Sequence, residues 1–501
     1  MNDEDKRRKI FDAISEIDDD LIEEARPKKA EAKRLSPTKT LAALAAVLIV
    51  AFALSQLSNF TRPLPQNASQ STKPIQDPPA SPAANLENYA PLLEVFYPEA
   101  YAYDDFDASR DIREQNPLSE DFLNAVSNFS FQTASSILAE NGAGENVNYS
   151  PLSLYYALAV ATSGAGGETG DELLELLGMT DAATLNEESG NLYRRLFFDN
   201  EFGKLLIANS LWLDDDMNGE EIAYKDEFVQ SAARNYYASS HNVDFADPTT
   251  AEAMAEWIAE KTEGTIAAEL EIDPEQIFSI INTIYFCDQW IDGFDSDQTA
   301  PGIFHLADGG KVETDFMHSS YFSATFARGE GFTRSSLSLK NENRMVFILP
   351  DEGVSVHDLL ASPEKLEAAF TGGRDSWGEV IWQIPKFSYS TKLDLNETLQ
   401  GLGVESAFTS EADFTGITEH QAFINDVSQE THIEINEEGV VASAYTHIAF
   451  AGTGMPEDRA EMILDRPFIF GITKPVAFAT ADGYEGVDTL LFVGICENPT
   501  S

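Results

Sequence analysis

Residues 437–467 read EEGVVASAYTHIAFAGTGMPEDRAEMILDRP. Just before them His432, Ile433, Glu434 and Ile435 alternate polar and apolar, the period of a half-buried strand, and Asn436-Glu437-Glu438-Gly439 ends that alternation. Val440, Val441, Ala442, Ser443 and Ala444 follow, small or β-branched, a run able to form a strand. Gly452, Thr453, Gly454 and Pro456 then break any regular element. Apolar runs resume at Ile463-Leu464 and Phe468-Ile469-Phe470. The segment is strand-competent but has no fixed place in a sheet. A long loop inside a compact domain is functional or disordered, and this one reads as functional.

The chain around it has 501 residues, 43% of them hydrophobic, enough for one large domain with appendages. Its formal charge is -53, and residues 1–39 hold 10 of the 32 basic and 11 of the 85 acidic residues, so the acidity belongs to the remainder. Such a surface repels phosphates and argues against a nucleic-acid partner. Cys287 and Cys496 are the only cysteines. They leave one disulfide open and exclude a disulfide framework or a cysteine metal site. The seven histidines show no paired ligand spacing, and no Gly-x-Ser-x-Gly elbow is present. The glycine-rich run at 164–170 lacks the lysine of a phosphate loop and carries Glu168, with Asp171 next, so it reads as a turn between helices. No catalytic residue, metal or cofactor is expected, and the chain does not read as an enzyme.

Four regions are expected. Residues 1–39 form a cytoplasmic segment, with six basic residues against one acidic between Arg26 and Lys39. Residues 40–57 are uncharged and mostly apolar, approaching the ~20 residues that cross a bilayer, and the basic flank places the N-terminus inside. A signal peptide is the alternative, but Ala51-Phe52-Ala53 lies within the apolar run rather than after it. Residues 58–117 begin as a Pro- and Ser-rich linker and end in a lead-in whose Tyr97, Tyr101, Tyr103 and Phe106 either pack on the domain or are exposed. Residues 118–501 are the globular domain. Helices are predicted from Phe122 to Leu138, after Ser150-Pro151, over 172–177 and over 251–262. Strands are predicted at 205–212, 277–286, 345–349 and 380–384. The fold class is α+β.

From Leu118 to Pro499 the sequence resembles the serpin family. The similarity is carried in family order by NVNYSPLSLYYALAVATSGAGGETGDELLELLG (146–178), LLIANSLWL (205–213), AEWIAEKTEGTIAAEL (255–270), IINTIYFCDQWIDGFD (280–295), FHLADGG (304–310), FILPDEG (347–353), IEINEEGVVASA (433–444), RPFIFGIT (466–473) and LLFVGICENP (490–499). The resemblance implies large mixed β-sheets, about eight or nine helices and an exposed reactive loop. It also implies a suicide-substrate inhibitor. A serine protease cleaves the loop, is held as a covalent acyl complex, and the loop inserts into the main sheet as an added strand.

Residue by residue, Glu437 and Gly439 match the family hinge, with Gly439 expected to supply the hinge torsion. Val440 stands where Thr or Ser is usual, and Ala442, Ser443 and Ala444 match the small-residue run, from which Tyr445 departs. Ser150, Ser153 and Asn282 match the polar cluster that lets the sheet open, with Gln429 in place of its histidine, and Trp290 matches the tryptophan at the insertion point. Counting from Glu437, the reactive bond is Thr453-Gly454, and the longer path to Pro467 keeps Ala451, Gly452 and Met455 as alternatives. No Lys or Arg lies from 440 to 458, which points to elastase-like or subtilisin-like targets that accept small neutral residues, with Phe450 leaving a chymotrypsin-like one. The topology implies a monomer anchored in a bacterial cell membrane by a single pass, N-terminus cytoplasmic and serpin domain extracellular. The alternative is a non-inhibitory serpin acting as a binding or structural module at the cell surface.

Overall fold

The computed structural model describes residues 92, 93, 95–140, 144–217, 219–440, 458–481 and 483–501. The lead-in runs along the edge of a sheet, where the Leu92 N–H donates to the Ser240 carbonyl (2.6 Å). Tyr97 stacks on Tyr237 and Tyr103 meets Phe202 edge-on, whereas Phe106 is exposed. Tyr97 and Tyr103 therefore contact aromatic rings of the domain, and Tyr101 is half-buried. Helix α1 (Phe106–Gln115) follows, capped by the Asp105 carboxylate, which accepts from the Ala108 N–H.

The chain continues through α2 (Glu120–Glu140), β1 (Val147–Tyr149), α3 (Pro151–Thr162), α4 (Gly167–Leu176), α5 (Ala182–Leu196), β2 (Phe198–Asn200), β3 (Gly203–Asp214), β4 (Asp216–Met217) and β5 (Glu220–Glu221). Then come α6 (Asp226–Tyr236), β6 (Ala238–Val243), α7 (Thr249–Lys261), β7 (Phe278–Gln289), β8 (Ala300–His305), β9 (Lys311–Gly329), β10 (Phe332–Ser338) and β11 (Arg344–Pro350). The last part holds α8 (Val356–Leu359), α9 (Pro363–Thr371), β12 (Arg374–Pro385), β13 (Phe387–Asp394), α10 (Asn396–Gly401), β14 (Ser428–Ile435), β15 (Gly439–Val440), β16 (Arg459–Ile463), β17 (Phe468–Thr480) and β18 (Gly483–Cys496). The described residues thus hold ten α-helices, which corrects the eight or nine that the family resemblance implied.

One sheet runs β1-β18-β17-β11-β10-β9-β12-β16, with β8 on β9. The other runs β13-β14-β15-β7-β3-β2, with β6 on β3. Helix α3 packs against both β7 and β18. Ser150 caps it and Pro151 opens it, as its sequence predicts. Eleven of its 12 residues are buried, which marks it as an interior helix rather than an amphipathic surface one. Residues 164–166 of the glycine-rich run turn into α4, and 167–170 are its first turn, with Gly167 at φ +52°. Cys287 and Cys496 are both free thiols.

Candidate functional site

The site lies where β7 and β14 face each other. Along its whole length β7 pairs with β3, from Gly203 opposite Asp288 to Leu213 opposite Phe278. On its other side only Gln289 and Asp288 are paired, with Gly439 and Val440 of β15. In turn β14 pairs with β13 throughout, and with β15 only through Ile435 and Val440. Among the described residues no strand stands between 278–287 of β7 and 428–434 of β14. A cavity of ≈ 220 Å³ opens at the lower end of that interval, lined by Ile281, Thr283, Gln429 and, from α7, Met254 and Ile258. Two facing strand edges offer a ready template for an added strand.

At the upper end the hinge is held by a dense set of bonds. The Asn436 side chain accepts from the N–H groups of Glu438 (2.9 Å) and Gly439 (3.3 Å), fixing a tight turn. Trp290, buried, donates its indole N–H to the Asn436 carbonyl (3.0 Å) and its backbone N–H to the Glu438 carbonyl (3.0 Å). Glu437 forms an ion pair with Lys386 (2.9 Å) and accepts from the Thr299 hydroxyl (2.8 Å). Burial works against its ionisation, but Lys386, a backbone N–H and Thr299 outweigh that and leave its carboxyl below the ordinary glutamate range.

Gly439 does not adopt a positive φ, so the expected hinge torsion is corrected. Glycine is required by close approach: a Cβ there would stand 2.2 Å from the Asp288 carbonyl oxygen and 2.9 Å from Gln289 Cα. Val440 is buried at 2% exposure, so an apolar side chain fits where the family has a hydroxyl. Asp288, fully buried, accepts from the Asn341 side chain (2.9 Å), its N–H (3.1 Å) and the Asn343 side chain (2.8 Å), locking the top of β7.

Lower down, a polar network crosses from β14 to β3 through the start of α3. Gln429 accepts from the Ser150 N–H (2.8 Å) and donates to the Ser150 carbonyl (2.9 Å). The Ser150 hydroxyl donates to the Leu491 carbonyl (2.7 Å) and accepts from the Ser153 N–H (3.2 Å). Ser153 donates to the Asn282 side chain, Asn282 donates to Asn209 (2.7 Å), and Asn209 donates to the Tyr236 carbonyl (2.6 Å).

The residues singled out in the sequence therefore fall into two groups. Glu437, Gly439, Val440 and Trp290 meet at the hinge, and Ser150, Ser153, Asn282 and Gln429 meet in the network. Ala442, Ser443, Ala444, Tyr445, Thr453 and Gly454 lie outside the described residues. Sequence reasoning missed Asn436, Lys386, Thr299, Asp288 and Asn209. Only Asn436 carried a local signal, its turn-forming Asn-Glu-Glu-Gly context.

A family model described as Serpin (serine protease inhibitor) matches residues 124–499. The chain belongs to the serpin family. It is similar to Serpin-ZX of Arabidopsis thaliana, 30% identical over 375 residues that cover 69% of this chain and 93% of that one. Its structure resembles native tengpin, a thermophilic serpin, with TM-score 0.67 and 26% identity over 82% of this chain and 100% of the other. It shares the fold of human thyroxine-binding globulin complexed with its hormone (TM-score 0.64, 22% identity, 76% of this chain and 100% of that one). Serpins are generally inhibitors of serine proteases and not enzymes, so this chain is not an enzyme. These relatives give no support to a bacterial source. The apolar span 40–57 lies outside the described residues, among which no helix is long and apolar enough to cross a membrane.

Proposed function

We propose that this serpin is an inhibitor of serine proteases of the elastase-like or subtilisin-like kind, with Thr453-Gly454 as the reactive bond. The protease serine attacks the Thr453 carbonyl carbon, the amine of Gly454 leaves, and an ester joins the two proteins. The freed strand then enters between β7 and β14 and carries the protease with it. The observation that carries this reading is β15 itself. Gly439 and Val440 already lie between the two strands, in antiparallel register with Gln289 and Asp288.

Continuing that register pairs Ala444 with Ile284, Tyr445 with Thr283 and Thr446 with Asn282. Asn282 bonds to α3, and Ile284, Phe286 and Asp288 share its face and are buried. Alternation therefore directs Ala442 and Ala444 towards α3 and the interior, and Tyr445 towards the α7 side. The small residues fall where space is least. A single-pass anchor at 40–57 would hold a monomeric serpin domain outside the cell, presenting the loop to exogenous proteases.

Incubation with subtilisin and with pancreatic elastase tests the proposal. A covalent complex that survives SDS, with the ester on Thr453 or within three residues of it, is the expected result. Complete loop cleavage without a complex and without a gain in heat resistance would instead favour a non-inhibitory binding module.

A further inference from the structure

Strand β18 runs into a buried acid. Glu497, the residue after Cys496, leaves 1% of its side chain exposed. Its Oε1 lies 3.2 Å from Nε2 of His357 on α8, 140 positions away. Its Oε2 has no hydrogen-bond partner among the described residues. The backbone around it is stapled to Asn146. The Asn146 side chain accepts from the N–H groups of Glu497 (2.8 Å) and Asn498 (2.9 Å). It donates to the Asn498 carbonyl (2.6 Å) and the Ser501 hydroxyl (2.8 Å). Glu497 therefore cannot turn to water without breaking that staple. Asn146 leads directly into β1, where Val147 pairs with Ile495 of β18, and on to Ser150, which bonds to Gln429.

Few groups surround the carboxylate. His357 faces it from α8, while the neighbouring Asp358 accepts from the Ser355 N–H (3.0 Å). The Cys496 thiol precedes it on β18, pushed well up by burial and by this carboxylate. Gly144 and Asn146 offer backbone and amide groups, and Glu145 is exposed. Glu140, at the end of α2, is held by the Thr398 hydroxyl (2.7 Å), and Lys365 of α9 donates to the Asp358 carbonyl (3.3 Å). Among the described residues His357 is thus the one cationic partner within reach. A carboxylate out of water needs such a partner, and one left unpaired is costly.

We infer that His357 and Glu497 form a pH-sensitive latch, one proton held between them fastening the end of β18 and, through Asn146, the start of β1. With that proton the two side chains form a buried ion pair. When it passes to solvent, the carboxylate faces a neutral ring and the strand end loosens. Burial pushes the Glu497 carboxyl above the ordinary glutamate range, against the pull of His357 and the Gly144 N–H. A carboxyl raised in the folded state stabilises the fold fully below its unfolded value and loses that contribution as pH rises through the folded value. The latch is therefore tight in acid and loosens on the alkaline side, opposite in sign to Glu437. Imidazole charge changes between about pH 5 and 8, which sets the range to search.

Amide hydrogen exchange of 144–150 and 490–498 in the full chain tests the latch at pH 5.5 and pH 8. Glu497→Gln keeps the shape without the charge, and His357→Gln removes the cation at a partly exposed position that tolerates change. Each variant is compared with wild type at the same pH, which cancels the chemical exchange rate. Relative to Glu497→Gln, wild type should exchange within twofold at pH 5.5 and about tenfold faster at pH 8, the effect of one pKa unit. Relative to His357→Gln, it should exchange about tenfold slower at pH 5.5 and equally at pH 8. Ratios that stay the same at both pH values would overturn the latch, and so would a wild type that loosens in acid. If one variant fails to fold, the other comparison decides alone.

Discussion

Gly439→Ala is the most informative single change at the hinge. A Cβ would meet the Asp288 carbonyl oxygen at 2.2 Å, Gln289 Cα at 2.9 Å and the Asp288 carbonyl carbon at 3.1 Å, all backbone atoms that no side-chain rotation relieves. Asp288 itself is held by three bonds from Asn341 and Asn343, so β7 cannot yield there. β15 must therefore leave its place. Val440 then loses its burial, worth about 1.5–3 kcal/mol, and the Asn436–Gly439 and Trp290–Glu438 backbone bonds are strained, at about 1 kcal/mol each. A loss of about 3.5–5 kcal/mol in urea-induced unfolding is expected, together with more protease-cleaved serpin per complex formed, because the strand can no longer start its insertion. Gly353→Ala is the control: its φ of +86° strains an alanine, but no atom lies within 4 Å of the new Cβ, and it should leave inhibition unchanged. A Gly439→Ala protein within about 1 kcal/mol of wild type and with the same ratio of complex to cleaved product would refute the close-approach argument.

Three further outcomes follow from the same geometry. Gln429→Ala orphans the fully buried N–H and carbonyl of Ser150 and should cost about 2–4 kcal/mol in denaturant unfolding, with faster loss of inhibitory activity on warming as β14 loosens from α3. The Glu437–Lys386 pair should contribute about 0.5–1 kcal/mol, limited by the partial exposure of Lys386. Because the folded carboxyl titrates below its unfolded value, that contribution is complete above the ordinary glutamate range and is lost as pH falls through the lowered folded value. The stability gap between wild type and Lys386→Ala, measured from pH 7 down to pH 3, should therefore close with acid. Ala444→Tyr should raise the fraction cleaved rather than trapped severalfold, whereas Tyr445→Ala should change it less than twofold; the reverse ranking would show that the inserted strand runs in the other register.

Much of this site is legible in the sequence because its logic is local there. The alternation of 432–435 gives β14, Ser150-Pro151 gives the start of α3, and the small residues after Gly439 mark a segment fit for a sheet. The partners are not local. Gln429 is satisfied by Ser150, 279 positions away, Glu437 by Thr299, 138 positions away, and Trp290 by Asn436, 146 positions away. No periodicity encodes such pairs. The reason for a glycine at 439 likewise sits in the carbonyl of Asp288 and not in its own torsion. The apolar run at 277–286 reads as a buried strand, yet all five residues of β7 from Phe278 to Asn282 are only partly buried. A strand that lacks a neighbour on one edge keeps the composition of an interior strand without its cover. The lead-in aromatics could not be placed from sequence because Tyr237 and Phe202, which receive Tyr97 and Tyr103, belong to a distant part of the chain.

The central claim is that the interval between 278–287 and 428–434 receives the cleaved loop. Amide hydrogen exchange of these two segments, measured before and after subtilisin nicks the loop, tests it most directly. Slower exchange of both after cleavage, with a rise in melting temperature, is the result this account predicts. Unchanged exchange in both segments of a fully cleaved, still folded protein would contradict it.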